Sequence, residues 1–432
     1  MSWQLKVHQE EFARDMYSLL KETGYVYLAG KPRSGKSMTA LATCELSDRI
    51  ASVLILAPKG AIGYPEVDNK LITNRKSKKY DASLETGWLR TLKECSSWLR
   101  HKYTVTNYEQ VGTFKLGKYI MKLNPEDYDI VIIDESHNIG AFPKPASRTK
   151  VIRKLCWNIP HIHLSGTAIV ESPNSIYHQM FISKYNPFRF KNFYEFFRTY
   201  GKPYYIKFNG REVAQYDRYK PELLERINEF TLYMTQEDAG ISSDLQAVDK
   251  VHYVTLNENT RKLYNYIQTH KYKILDSGIE IVCDSEMKLR TTLHQLESGV
   301  VKVDDRYIDL GFNEKIDYIY NTFGDTSSVG IMCHFVGERN KLIKRFKNAI
   351  ILSSTTHAEG VDLSHLSHFI ILSSDYRGSK FIQRRERIIN SNGSNTLIVN
   401  HILVKNAISE QVYKRVSKKQ DFNNSTYRRL KV

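Results

Sequence analysis

Residues 30–37 read GKPRSGKS and match G-x-x-x-x-G-K-[ST] at every required position. The apolar run YVYLA precedes the loop and the Ala- and Leu-rich segment SMTALATCEL follows it, so the local order is strand, loop, helix. Gly30 and Gly35 let the backbone curl until successive amides point at phosphates, at the positive end of the following helix. Lys36 would reach the β and γ phosphates of ATP, Ser37 would hold its Mg2+ ion, and Ser34 joins the nucleotide-binding set. A segment of this kind commits the chain to an α/β domain in which a parallel strand feeds a helix through a phosphate-binding turn.

A magnesium nucleotide also needs an acidic partner at the end of a neighbouring strand, and DIVIIDESHN at 129–138 supplies one. Asp134 would bind the metal through its water shell, and Glu135 would act as general base on the attacking water. An Asp-Glu turn after a strand often serves solubility alone. Here it follows four apolar strand residues and a complete phosphate loop, which favours chemistry.

Short apolar runs recur at Tyr25–Ala29, Val53–Ala57, Thr104–Thr106, Ile130–Ile133 and His161–Ser165 with helical segments between them. That rhythm predicts a parallel sheet covered by helices over residues 1–200. An irregular, aromatic and charged stretch follows, expected as a linker or protrusion over 201–250. The rhythm restarts at Val251–Leu256, Val329–His334, Ala349–Leu352, Phe369–Leu372 and Thr396–Val399, which predicts a second α/β domain over 251–432. Two domains suit a length of 432 residues.

Lys and Arg number 63 against 47 Asp and Glu, a net charge of +16 that makes nucleic acid the first partner to test. Cys44, Cys95, Cys156, Cys283 and Cys333 form no C-x-x-C pair, so neither a zinc site nor a disulfide framework is encoded and a reducing, intracellular setting is expected. The apolar runs have strand length, far short of the roughly 20 residues that span a bilayer. The opening MSWQLKVHQEEFARD carries charges where an export signal would be apolar, so neither secretion nor a membrane role is expected.

Asp-Glu-x-His after a phosphate loop resembles the second motif of superfamily 2 helicases, and other segments match that family in order. LKVHQEE at 5–11 is similar to its opening segment, which implies that Gln9 reads the adenine edge. VLILAPKGA at 53–61 and TVTNYE at 104–109 resemble its backbone-contacting elements, and LSGTA at 164–168 its coupling motif. Beyond it, Gly166, Thr167, Asn174, Pro187, Phe190, Phe193 and Phe196 resemble the pattern of Swi/Snf-type ATPases. VTLNENTRKLYNYI, VGIMCHF and the tail LIVNHILVKNAISEQVYKRVSKK continue that likeness. TTHAEGVDL at 355–363 resembles the motif that places Gly360 and Asp362 at the nucleotide. QRRER at 383–387 resembles the arginine motif, with Gln383 and Arg384 at the nucleotide and Arg387 as the finger that stabilises transition-state charge. The family pattern asks for Gly before that arginine and a second arginine three residues later, whereas this chain has Glu386 and Asn390.

The resemblance implies two tandem RecA-like domains with parallel sheets flanked by helices and an ATP cleft between them. It implies an ATP- and Mg2+-dependent motor that moves along double-stranded DNA through sequence-independent backbone contacts. A monomer is expected, acting in the cytoplasm, nucleus or host-cell interior. Stripped of reader or nuclease modules, the chain fits a viral or phage origin. An RNA helicase and a nucleotide-gated DNA-binding protein with little hydrolysis are the rival readings. Phe193 and Phe196, three apart, read as core, while Tyr204 and Tyr205 in GKPYYIKFNGR read as a DNA-facing protrusion.

Overall fold

The computed structural model describes residues 5–30, 34–67, 70–115, 118–166, 172–208, 211–235, 237–240, 248–354, 366–376 and 398–418. The chain divides into two compact units, Met1–Ser242 and Ser243–Val432.

The first unit runs α1 (Val7–Thr23), β1 (Tyr25–Gly30), α2 (Lys36–Glu45), β2 (Ser52–Ala57), α3 (Gly87–Cys95), β3 (Lys102–Asn107), β4 (Ile130–Asp134), α4 (Ser147–Cys156), β5 (His161–Ser165), α5 (Ile176–Met180), α6 (Phe193–Tyr200), α7 (Glu222–Asn228) and β6 (Thr231–Met234). These strands form one six-stranded sheet in the order β6-β1-β5-β4-β2-β3. Every pairing in it is parallel. Parallel strands are covered on both faces and therefore read as continuous apolar runs; SVLILA, buried from Val53 on, and IVIID, buried throughout, show this. Alternation then sorts the two faces. Val53 and Ile55 pack with Met16, Leu41 and Trp88 on one side. Leu54 and Leu56 pack with Val131, Ile133, Val151 and Leu155 on the other.

A third cluster gathers Phe193, Phe196 and Phe197 of α6 with Tyr177, Phe188 and Phe230. The stretch expected to link the two domains differs from that expectation. Thr231–Met234 is the edge strand of the first sheet, pairing with Tyr27–Gly30, so residues up to 242 belong to the first unit. Four residues with one charge-free apolar face are too short to stand out by alternation, and pairing with a buried neighbour is what makes them a strand.

The second unit runs β7 (Val248–Val254), α8 (Glu258–His270), α9 (Glu286–Leu296), α10 (Glu314–Phe323), β8 (Val329–Cys333), α11 (Val336–Arg345), β9 (Ile350–Ser353), β10 (His368–Ile371), β11 (Ile398–Val404) and α12 (Ile408–Val416). Its five-stranded sheet has the order β7-β11-β10-β8-β9, again parallel at each pairing. Inside it lies an ionic cluster with no sequence signature. Lys315, fully buried, donates to the Leu372 carbonyl at 2.9 Å and sits 3.7 Å from Glu297. Burial pulls the Lys315 ammonium below its ordinary value and pushes the Glu297 and Glu338 carboxyls above theirs.

All five cysteines are free and buried. No helix among the described residues is long and apolar enough to cross a membrane.

Candidate nucleotide site

The phosphate loop leaves β1 at Gly30 and enters α2 at Lys36, as a strand-to-helix turn in a parallel sheet requires. Gly35 caps the helix at φ +95, a left-handed conformation that costs an L side chain roughly 1–2 kcal/mol. A Cβ there would lie 2.0 Å from Gln9 Nε2, and one on Gly30 would lie 2.6 Å from Lys36 Cγ. Glycine is therefore required at both positions by conformation or by contact. Lys36 Nζ donates to the Gly30 carbonyl at 2.6 Å, spanning the mouth of the loop. The start of α1 braces the far side: His8 Nε2 lies 3.1 Å from the Ser34 carbonyl, and Gln9 Oε1 accepts from Lys6 N at 2.9 Å. Gln9 thus meets the loop at Gly35.

The carboxylates sit two strands away. Asp134 ends β4, and β5 lies between β4 and β1. At the usual strand spacing this separates the two strands by about 10 Å, room enough for phosphates and a hydrated ion. Asp134 is 8% exposed. Its Oδ2 accepts from Trp88 Nε1 at 2.8 Å, its Oδ1 from Glu135 N at 3.0 Å, and its carbonyl from the Tyr108 hydroxyl. Glu135 follows at φ 49, a strained position for a residue with a side chain. That turn throws its carboxylate toward His137, whose Nδ1 lies 3.4 Å from Glu135 Oε2 and 3.0 Å from Ser165 Oγ. Ser165 ends β5, in register with Ala29 of β1. The coupling motif, the Asp-Glu turn and the phosphate loop therefore share one edge of the sheet.

Behind this edge lies a buried polar network. Tyr27 on β1 donates to Gln179 Oε1 at 3.0 Å and accepts from Ser136 Oγ at 2.8 Å. Ser136 Oγ also lies 3.0 Å from Gln179 Oε1.

Of the residues expected at the site, Gln9, Gly30, Ser34, Gly35, Lys36, Ser37, Asp134 and Glu135 fall in the described part of the first unit, around that edge. Gly360, Asp362, Gln383, Arg384 and Arg387 lie outside the described residues. The described ends beside them are ordered by polar contacts: His334 N donates to Ser373 Oγ at 2.7 Å, and His334 Nδ1 lies 2.8 Å from Ser354 Oγ. Three residues that brace this edge escaped sequence reasoning. Trp88 lies on α3 with nothing around it to mark it. Tyr108 lies within TVTNYE, and Gln179 lies between the pattern positions Asn174 and Pro187.

The residues present suit a magnesium nucleotide. Ser34 Oγ is buried and without a hydrogen-bond partner among the described residues, the close-packed glycines leave backbone to face an anion, and Asp134 is a hard oxygen donor.

Residues 2–169 match the family described as type III restriction enzyme, res subunit. Residues 334–392 match the family described as helicase conserved C-terminal domain. The matches support a superfamily 2 helicase-like ATPase. With the two parallel sheets, they give two tandem RecA-like domains, and they indicate an ATP-dependent helicase-type motor acting on nucleic acid. No curated protein matches the chain as a relative.

Proposed function

We propose that this helicase-like ATPase is a translocase on double-stranded DNA. The observation that supports the catalytic half is the shared sheet edge, which holds the Gly35–Lys36 turn together with a braced Asp134 and a strained Glu135. The preference for duplex is supported by the Swi/Snf-like order of Gly166, Thr167, Asn174, Pro187, Phe190, Phe193 and Phe196, and by the net charge of +16.

In this reading the loop amides and Lys36 hold the phosphates, and Ser37 with Asp134 hold magnesium. When bound, the ion neutralises phosphate charge. Trp88 fixes the rotamer of Asp134 by its hydrogen bond. Glu135 takes the proton of the attacking water, and His137, shared with Ser165, orients it. By the family resemblance Arg387 is the finger that stabilises transition-state charge, and a nucleotide-dependent conformational change moves the DNA backbone. Glu386 and Asn390, where the family carries Gly and a second arginine, favour slow turnover. The same departure motivates the second reading, a nucleotide-gated DNA binder.

Replacing Lys36 tests the assignment. Lys36→Ala abolishes hydrolysis and leaves DNA binding intact; retained turnover refutes the loop's role. Because phosphate contacts dominate, wild-type affinity for duplex falls steeply between about 50 and 200 mM salt. A flat salt response contradicts a backbone-gripping motor.

A further inference from the structure

Residues Tyr204–Phe208 and Arg211–Gln215 pair antiparallel as a two-stranded hairpin that joins neither large sheet. A lone hairpin of two strands is marginal in water, so its anchoring is informative. Asn174, fully buried, donates through Nδ2 to the carbonyls of Tyr216 at 2.8 Å and Arg218 at 2.9 Å. Lys202 N donates to the Arg218 carbonyl at 3.1 Å and Lys220 N to that of Tyr200 at 2.7 Å. The Tyr216 ring packs edge-on against Phe197, with centroids 5.0 Å apart. The root is thereby welded to the aromatic cluster of α6.

The hairpin itself faces water with the wrong residues for a solvated loop. Tyr205 is 63% exposed, and the Arg218 guanidinium lies over the Tyr204 ring at 3.8 Å. Residues 201–220 hold five Lys and Arg against two acidic side chains. Cations beside exposed aromatic faces suit a polyanion that also offers flat rings. Inside an intact duplex the base faces cover one another. An exposed tyrosine finds a ring to stack on only where a strand end or fork bares one.

The same anchor leads back to the carboxylates. Asn174 lies at the start of the segment Pro173–Met180, and Gln179 on that segment accepts from Tyr27 and lies beside Ser136 Oγ, each at 3.0 Å. Ser136 directly follows Glu135. One short piece of chain therefore pins both the hairpin root and the turn that carries Glu135.

We propose that the 204–215 hairpin is a DNA contact of the first unit, with Tyr205 stacking on a base bared at a duplex end or fork, and that residues 173–180 transmit its loading to the Glu135 turn. This rests on the motor reading above and assigns it a junction-sensing element. Balance between binding and coupling is what the two halves of the test separate.

The test compares labelled forked DNA with a relaxed, covalently closed circular duplex, which has no ends and no unpaired bases, at fixed low salt. Tyr205→Ala, a surface change, weakens binding to the fork roughly tenfold. It leaves binding to the closed duplex and hydrolysis without DNA at wild-type levels. Fork binding equal to wild type overturns the hairpin contact. Asn174→Ala, checked for folding by circular dichroism, lowers the stimulation of ATPase by forked DNA about fivefold or more. Undiminished stimulation in that folded variant overturns the transmission. A wild-type chain that binds no DNA at low salt would instead refute the motor reading, and the hairpin contact with it.

Discussion

Trp88→Phe isolates one hydrogen bond, the one to the Asp134 carboxylate. Trp88 is 3% exposed and packs among Leu41, Ile55, Ile62 and Cys95, so phenylalanine keeps most of the apolar contact. What it removes is the indole N–H, 2.8 Å from Asp134 Oδ2. A hydrogen bond to a charged group contributes about 1.5–3 kcal/mol, and at about 1.4 kcal/mol per factor of ten its loss corresponds to a roughly ten- to hundredfold fall in kcat/KM. The upper figure applies if water cannot replace the donor in so buried a place. Asp134 Oδ1 keeps its bond from Glu135 N, so the carboxylate stays but turns more freely. Steady-state hydrolysis measured across a magnesium titration should show lower turnover and a higher magnesium requirement. Binding of a fluorescent ATP analogue without magnesium should stay near wild type. Wild-type turnover with an unchanged magnesium requirement would refute the idea that Trp88 holds Asp134 in a working rotamer.

Gly35→Ala forces a side chain into φ +95 and into contact with Gln9, so the first unit loses roughly 1–2 kcal/mol of stability by the left-handed penalty alone; urea unfolding followed by tryptophan fluorescence checks this, and an unchanged midpoint contradicts it. Acid should destabilise the first unit early. Burial pulls His161 and His178 down to about 4 and His163 well below its ordinary value, so the folded unit keeps them neutral while the unfolded chain protonates near 6.5. Their contribution is complete above about pH 6.5 and is lost as pH falls toward 4, at about 3 kcal/mol for each of His161 and His178. All four tryptophans, Trp3, Trp88, Trp98 and Trp157, belong to the first unit, so tryptophan fluorescence follows it alone. Its urea midpoint should drop between pH 7 and 5, and a level midpoint would contradict neutral burial.

The legible part of this site was the part written locally. Gly30, Gly35, Lys36 and Ser37 sit within eight residues whose flanks are a strand and a helix, and Asp134 and Glu135 close an apolar strand. In both cases neighbours in the chain are neighbours in space. Trp88 was not legible, because its partner is 46 residues away and only the packing of α3 on the sheet brings them together. Gln179 was hidden for the same reason, 152 residues from Tyr27. The positive φ of Glu135 leaves no trace in composition, since any residue can be forced there by a surrounding fold. Phe193 and Phe196 read as core from their spacing, and both are buried. Lys315, Glu297 and Glu338 carry nothing in their local sequence that marks them as buried, and only the packing of the second unit encloses them.

The central claim is that ATP hydrolysis at the Lys36 and Glu135 site is coupled to a nucleic-acid track. Steady-state ATPase measured without nucleic acid, then with duplex DNA, single-stranded DNA and RNA, tests it most directly. The account predicts turnover that rises most with duplex DNA and disappears in Lys36→Ala. Turnover that is absent, or the same whether or not any nucleic acid is present, would contradict it.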